Sequence, residues 1–264
     1  MSYTADPGKT YALVVGIEEY AARGSWNELD GPVPDARQFT DWLRNKGVPT
    51  ENIILCLAPR PSNMELMTIS EPGARPATSQ VIREALTDTL RHKQGDLLYV
   101  FWGGHGMMPA DEQRRLFYAD ARQDNMLNLD LNAALRLMKS TIYEGFKQQI
   151  CIIDACANYL PIALNVTTLP HETFAYGDPS QQCKQSVFLA AKAGDVAKNM
   201  THEQTGLFSR EVFAYLDANS NGGWPPASDA MAIALAERFI NSENLEYWNK
   251  RPISFRIKVG MVMS

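Results

Sequence analysis

The chain has 264 residues, which suits one large domain or two small ones. Its 25 basic and 30 acidic residues give a net charge of −5, which argues against broad binding to nucleic acid or to an anionic membrane surface. No apolar run approaches the roughly 18 residues of a membrane-spanning helix. The opening sequence MSYTADPGKT lacks the basic start and apolar core of a signal peptide, so we expect a cytoplasmic protein.

The cysteines argue against a disulfide framework and against a zinc ribbon. Thiols stay reduced in the cytosol, and none of the four cysteines stands in a CxxC pair. Cys56 and Cys151 lie inside apolar runs and are predicted to be core residues, whereas Cys183 is predicted to lie in an exposed loop. A functional role for Cys156 would therefore depend on its reactivity.

Short apolar runs that predict strands alternate with amphipathic stretches that predict helices. The predicted strands are 11–17, 53–57, 97–102, 149–153 and 187–191 with an edge strand at 253–259, and the predicted helices are 34–46, 81–90, 131–138, 207–216 and 228–240. This alternation is typical of an α/β fold in which helices cover both faces of a mostly parallel sheet. We expect one domain over 1–264, with a Pro-rich insertion at 59–78 and a linker at 157–185.

Two loops at the carboxyl edge of the predicted sheet carry unusual residues. In such sheets, function gathers beyond the carboxyl ends of the strands. One strand runs into GGHG, which contains His105 and Gly106, and the next runs into DACAN, which contains Cys156. Adjacent parallel strands lie about 4.8 Å apart, so these loops would meet if the two strands are neighbours.

A thiol and an imidazole at one sheet edge suit nucleophilic catalysis. A free thiol is only a few per cent ionised at neutral pH, and a neighbouring imidazole can take its proton during attack. Acyl transfer also needs N–H donors for the developing oxyanion, and the backbone amides of Gly106 and Cys156 are candidates.

The sequence resembles the caspase-like cysteine peptidases, a group that includes caspases, metacaspases and bacterial relatives, and it fits a bacterial-type member best. The resemblance is carried by YALVVGI, LLYVFWGGHG, CIIDACAN and SVFLAAKAGDVAKN, and it extends over nearly the whole chain. Caspases place their histidine about 50 residues before their cysteine, and here His105 precedes Cys156 by 51 residues.

The resemblance implies a caspase-like α/β/α sandwich and an endopeptidase acting on protein substrates. It implies that His105 is the general base, that Cys156 is the nucleophile, and that the amides of Gly106 and Cys156 form the oxyanion hole. Asp35 and Asp154 match acidic positions with which metacaspase-type enzymes select Arg or Lys. The stretch 190–196, beginning with Ala190 and Ala191, would lie against the substrate peptide.

The sequence departs from caspases and from metacaspases at one place each, and these differences bear on the expected specificity and on calcium. Caspases carry Gln-Ala-Cys where this chain has Asp154-Ala155-Cys156, which argues against cleavage after aspartate. Metacaspases carry a dense acidic run after their histidine that is linked to calcium, whereas here only Asp111, Glu112 and Asp120 follow. We therefore expect no metal and no other cofactor.

Purely structural roles for the same residues stay open beside the functional ones. Asp35 would suit the N-terminus of a helix for electrostatic reasons alone, and Asp154 could cap a turn. A strand-end cysteine such as Cys156 is often an inert small hydrophobe. For the whole chain, the alternatives are a catalytically silent regulatory or scaffolding domain and a cysteine amidase that is not a peptidase.

The predicted linker suggests regulation. At 29 residues it exceeds the roughly 12 to 15 beyond which structureless loops are uncommon, and in caspase relatives the corresponding segment is often cut during maturation. Its only basic residue is Lys184, expected just before the next strand. We therefore predict either a zymogen that is processed after Lys184 or activation by a regulatory partner protein.

Overall fold

A seven-stranded sheet forms the centre of the structure. From one edge to the other its strands are β12 (Ser254–Lys258), β9 (Lys184–Leu189), β8 (Phe146–Asp154), β4 (Gly95–Gly103), β1 (Thr10–Ile17), β2 (Ile53–Ala58) and β3 (Arg75–Pro76). The computed structural model describes residues 5–21, 29–65, 73–109, 113–157, 174–200, 202–241 and 254–258. Neighbouring strands are parallel throughout, except that β12 is antiparallel to β9 at one edge. The predicted mostly parallel sheet with one strand returning at its edge is confirmed.

The elements follow the predicted alternation. The helices are α1 (Pro32–Asn45), α2 (Ser79–Glu84), α3 (Leu131–Met138), α4 (Leu207–Ala218) and α5 (Ser228–Asn241). Helix α2 continues as a π-helical turn over Ala85–Thr89 and a 3-10 turn over Leu90–His92.

Side chains of one strand alternate between two cores because successive residues of a strand point to opposite faces of a sheet. From β1, Val15 packs into the core that α2 and α3 cover, whereas Val14 packs into the core that α1, α4 and α5 cover. Both faces of the sheet are therefore buried, as the continuous apolar run of β1 predicts. This is the α/β/α arrangement expected from the sequence.

Helix α1 brings an acidic side chain to the edge of the sheet. It begins at Pro32, two residues earlier than predicted, because proline is well accommodated in the first turn of a helix. Asp35 lies in that first turn and is buried. Phe39 and Leu43 on the same helix pack into the core, and the helix ends before Gly47, whose positive φ of 87° suits glycine.

Three features differ from the sequence-based expectations. The stretch after His105, expected to be irregular, contains a small antiparallel sheet of β5 (Gly106–Met107), β6 (Arg115–Phe117) and β7 (Asn128–Asp130). A second two-stranded sheet, β10 (Asn199–Met200) with β11 (Thr205–Gly206), precedes α4. Part of the Pro-rich insertion joins the central sheet as β3, at an edge where proline is tolerated.

The cysteine predictions are confirmed at two positions and wrong at one. Cys56 and Cys151 are fully buried, as their apolar runs indicate. Cys183, expected to be exposed, is only 6% exposed because it directly precedes the buried strand β9. No described helix is both long and apolar enough to cross a membrane.

Candidate active site

Strand pairing brings His105 and Cys156 to one place. Strands β4 and β8 are parallel neighbours, and their last paired residues are Gly103 and Asp154. His105 and Cys156 each lie two residues beyond that pair, and both line a single cleft that encloses about 370 Å³ including its open mouth. The expectation that the two loops meet over neighbouring strands is therefore confirmed.

A buried tyrosine fixes the loop of the histidine. The backbone N–H of His105 donates a hydrogen bond of 2.7 Å to the hydroxyl of Tyr20, and the two rings lie 5.0 Å apart. A side chain at Gly104 would come within 2.8 Å of the same hydroxyl, so this close approach requires glycine. Tyr20 thus positions His105, a role that sequence analysis missed because nothing in the sequence pattern links two residues so far apart in the chain.

The loop that carries Cys156 is held by two backbone hydrogen bonds. The N–H of Ala157 donates to the carbonyl of Asp195 at 2.9 Å, and the N–H of Gly194 donates to the carbonyl of Ala157 at 2.8 Å. The Cys156 sulfur lies 3.8 Å from the carbonyl oxygen of Ala197. The loop that follows β9 therefore fixes the backbone on which the thiol stands.

Gly106 lies directly against the backbone of the cysteine. A Cβ at Gly106 would come within 2.7 Å of the Cys156 carbonyl oxygen and 3.1 Å of the Ala155 side chain. Only glycine allows the two loops to approach so closely. The proposed donation of the Gly106 and Cys156 amides to an oxyanion stays a prediction, and this contact supports it.

Both predicted acidic residues line the same cleft, and each accepts hydrogen bonds. Asp35 accepts from the Thr205 hydroxyl at 2.6 Å and from the Gly206 N–H at 2.8 Å. Asp154 accepts from the hydroxyl of Ser209 at 2.7 Å and from its N–H at 3.1 Å. The start of α4 and the strand before it therefore hold both carboxyl groups in place.

Burial changes the acidity of these carboxyl groups. It raises the pKa of Asp35 to about 8, and the nearby Asp154 contributes to the same shift. Burial also raises the pKa of Asp154 to about 6. Two carboxyl groups that share a small cleft resist ionising together, and a cation bound between them would favour the ionised form of both.

Gly206 keeps the cleft open between the two acids. Its N–H donates to Asp35, and a Cβ at this position would collide with the carboxylate of Asp154. The absence of a side chain here is what leaves room beside both carboxyl groups.

The predicted substrate-contacting residues are not among those that line the cleft. Ala190 and Ala191 are buried and do not line the cleft, and the Ala191 carbonyl accepts a hydrogen bond of 2.8 Å from the side chain of Arg114. The wall of the cleft is instead formed a few residues later, by Ala197, Lys198 and Asn199. The contact of Ala190 and Ala191 with substrate stays a prediction.

Asn199 adds a third acceptor to the cleft. Its Oδ1 atom is buried without a hydrogen-bond partner in the described part of the chain. Asn199 pairs with Gly206 across the two-stranded sheet, which places it beside the two carboxyl groups. This strand is two residues long, and so short a strand leaves no periodic pattern in the sequence.

The end of the predicted linker is anchored to the body of the protein. Residues 158–173 lie outside the described residues. Beyond them, Phe174 is buried, and the carbonyl of Asp178 accepts a hydrogen bond of 2.8 Å from the N–H of Thr141. Lys184 was expected just before the strand, but it is the first residue of β9 and pairs with Gln148.

Among the described residues, no group of three or more His, Cys, Asp and Glu side chains is placed to hold a metal ion.

Comparisons with known proteins agree with this fold. The sequence profile of the caspase domain matches residues 9–230. A crystal structure from Geobacter sulfurreducens is 12% identical with a TM-score of 0.61, covering 94% of this chain and 92% of its own. Caspase-1 from Spodoptera frugiperda is 12% identical with a TM-score of 0.59, covering 94% and 88%. No curated protein matches this chain in sequence.

The chain therefore belongs to the caspase domain family. The structural likenesses, at 12% identity, show a shared fold alone. Membership of this family places the protein in a cysteine peptidase superfamily, which agrees with the resemblance seen in the sequence.

Proposed function

We propose that this protein is a cysteine endopeptidase that uses His105 and Cys156 to cleave peptide bonds after Arg or Lys. The observation that carries the proposal is one cleft lined by a thiol, an imidazole and two buried carboxyl groups. A scaffolding domain would have no physical reason to keep two carboxyl groups buried beside a thiol.

The proposed reaction begins with removal of the Cys156 proton by His105. The thiolate attacks the carbonyl carbon of the substrate, and the amides of Gly106 and Cys156 donate to the resulting oxyanion. As the tetrahedral intermediate collapses, the C–N bond breaks and His105 gives its proton to the leaving amine. Water, deprotonated by His105, then attacks the thioester carbonyl. The C–S bond breaks, the acid product leaves, and His105 returns the proton to the Cys156 sulfur.

The proposed preference for arginine follows from the acceptors in the cleft. Asp35 and Asp154 supply negative charge, and the unpartnered Oδ1 of Asn199 supplies a further acceptor. A guanidinium presents five N–H donors in a rigid fork, whereas the ammonium of lysine is a compact point charge. We therefore expect cleavage after Arg to be faster than cleavage after Lys.

For activation, we propose a regulatory partner protein rather than self-cleavage after Lys184. A peptidase binds its substrate as an extended, accessible segment, whereas Lys184 is already paired with Gln148 in the central sheet. From Ala157 to Cys183 the sequence contains no Arg or Lys. The linker therefore contains no accessible Arg or Lys after which the proposed peptidase could cleave its own chain.

A panel of peptides that differ only at the residue before the scissile bond tests the proposal. We expect the highest kcat/KM for Arg, a lower value for Lys, and little cleavage after Asp or after citrulline, the neutral isostere of arginine. Cys156→Ala is the control for contaminating proteases. Cleavage after Asp faster than after Arg would overturn the specificity. Absence of any peptide cleavage, together with hydrolysis of a simple amide, would favour the amidase instead.

A further inference from the structure

A buried arginine lies close to the loop of Cys156, outside the proposed dyad. Arg114 is 4% exposed, and its Nη2 donates a hydrogen bond of 2.8 Å to the carbonyl oxygen of Ala191. Its Nη1 is buried without a hydrogen-bond partner in the described part of the chain. The adjacent Arg115 is equally buried but forms an ion pair with Asp130.

A buried guanidinium calls for a counter-ion. Arginine remains charged in proteins, and isolated buried charges are strongly unfavourable unless they are paired. No carboxylate forms an ion pair with Arg114 among the described residues. Burial lowers the pKa of Arg114 to about 10, and the Cys156 thiolate acts in the opposite direction. Ala191 lies two residues beyond Leu189, which pairs with Ile153 of β8, so its hydrogen bond to Arg114 brings the guanidinium beside the loop that carries Cys156.

Among the other described groups that line the cleft, the fixed positive charge is that of Lys198, which is exposed to solvent and therefore screened. His105, Asp35 and Asp154 line the same cleft, together with the exposed Lys198 at its rim, and the Tyr20 hydroxyl lies behind His105.

Burial and the neighbouring Asp154 raise the pKa of the Cys156 thiol, whereas the contact with the Ala197 carbonyl and the charge of Arg114 lower it. Without a permanent cation, the thiolate would therefore face a buried environment and a neighbouring acid of like charge.

We propose that Arg114 is a positioning residue that stabilises the thiolate of Cys156 through its charge. Its hydrogen bond to Ala191 also ties the chain before β6 to the end of β9, close to the turn at 194–195 that holds Ala157. The inference rests on the proposed role of Cys156. Its test measures thiol reactivity and not peptide cleavage, so the two proposals can fail separately.

The test is the rate at which iodoacetamide alkylates Cys156 as a function of pH, followed by mass spectrometry. We expect Arg114→Met to react about tenfold more slowly than the unmodified protein at pH 7, which corresponds to a rise of about one unit in the thiol pKa. The two rates should converge at a pH above both thiol pKa values. Arg114→Lys, which keeps the charge, should recover most of the rate.

Arg122→Met is the matched control, because Arg122 pairs with Asp124 at the surface and its side chain is 58% exposed. If Arg114→Met does not fold, Arg114→Gln makes the same comparison, since its amide can still donate to the Ala191 carbonyl. A pH profile of the neutral variant that coincides with that of the unmodified protein would overturn the proposal. So would a loss of rate that is uniform across pH, or a failure of lysine to restore it.

Discussion

Two buried polar clusters on the central sheet differ in their chemistry. Near the beginning of β8 and β9, Gln185 donates to Gln149 at 2.8 Å and to the Leu135 carbonyl at 3.1 Å, and Gln149 donates to the Met138 carbonyl at 2.5 Å. These groups are neutral and hydrogen-bonded. At the carboxyl end of β8, by contrast, the buried groups are carboxyl groups whose pKa values are raised.

This difference separates a structural cluster from a functional one. A hydrogen-bonded pair of neutral amides adds modestly to stability wherever it lies. Two carboxyl groups, such as Asp35 and Asp154, oppose folding once they ionise in a buried cleft. This cost is offset where a cation binds between the two carboxyl groups, and we propose that a basic side chain of the substrate is that cation.

The largest expected effect is loss of the dyad. Cys156→Ala, His105→Ala and the double variant should each lower kcat/KM for an Arg peptide by about 10³-fold or more, since members of one catalytic unit are not additive. Cys183→Ala and His92→Ala are matched controls outside the cleft. Near-normal turnover in Cys156→Ala would remove the cysteine from the mechanism.

The next largest effect concerns the charge of the cleft. Asp35→Asn should lower kcat/KM for Arg peptides by the equivalent of about 2 to 5 kcal/mol, which is typical for truncating a buried charge pair. Alkylation of Cys156 should change little, which separates binding from reactivity. Asp41→Asn, on the exposed side of the same helix, is the control. Equal losses for Arg and citrulline peptides would contradict the role of charge.

A related prediction concerns the space beside Asp35 and Asp154, and its variant keeps both carboxyl groups. A side chain at Gly206 collides with Asp154, so Gly206→Ala should impair Arg cleavage while leaving alkylation of Cys156 nearly unchanged. Unimpaired cleavage of the Arg peptide by Gly206→Ala would place the substrate side chain elsewhere.

The contribution of the carboxyl cluster to stability should depend on pH, whereas that of the amide cluster should not. The pKa of Asp35 rises on folding from about 4 to about 8, so the native state binds more protons across that window and stability falls as pH rises. Asp35→Asn should therefore stabilise the protein at pH 8 by up to about 5 kcal/mol, with little gain at pH 4. Gln149→Leu should destabilise it by about 1 to 3 kcal/mol at both values.

Urea unfolding of both variants at pH 4 and pH 8 measures this contrast. A gain for Asp35→Asn that is the same at both pH values would mean that ionisation of this carboxyl group is not what opposes folding.

The smallest expected change is in the length of the purified chain. Because Lys184 lies in a paired strand, incubation should leave the intact mass at 29.5 kDa. Cys156→Ala and Lys184→Gln serve as comparisons. A fragment ending at Lys184 that forms only in the unmodified protein would restore self-processing.

The sequence predicts the central sheet well because its strands leave strong local signals. A continuous apolar run such as 11–17 has few alternatives to a doubly covered strand. The placement of His105 and Cys156 then follows from topology, since the carboxyl ends of parallel neighbours share one edge.

The walls of the cleft could not be predicted in the same way. Strands of two residues, such as Asn199–Met200, have no periodicity to detect. Arg114 stands in the polar stretch EQRRLF, which is typical of a solvated loop, yet tertiary packing buries it. Its burial depends on contacts between segments far apart in the chain, which no local sequence pattern shows.

Covalent capture tests the central claim most directly. A peptidyl acyloxymethyl ketone that ends in Arg should alkylate the protein once, at Cys156, whereas the matched Asp reagent should react slowly. Labelling by the Arg reagent should be lost in Cys156→Ala and strongly reduced in Asp35→Asn. Faster capture by the Asp reagent, or an adduct on another cysteine, would contradict an acidic cleft serving a Cys156 nucleophile.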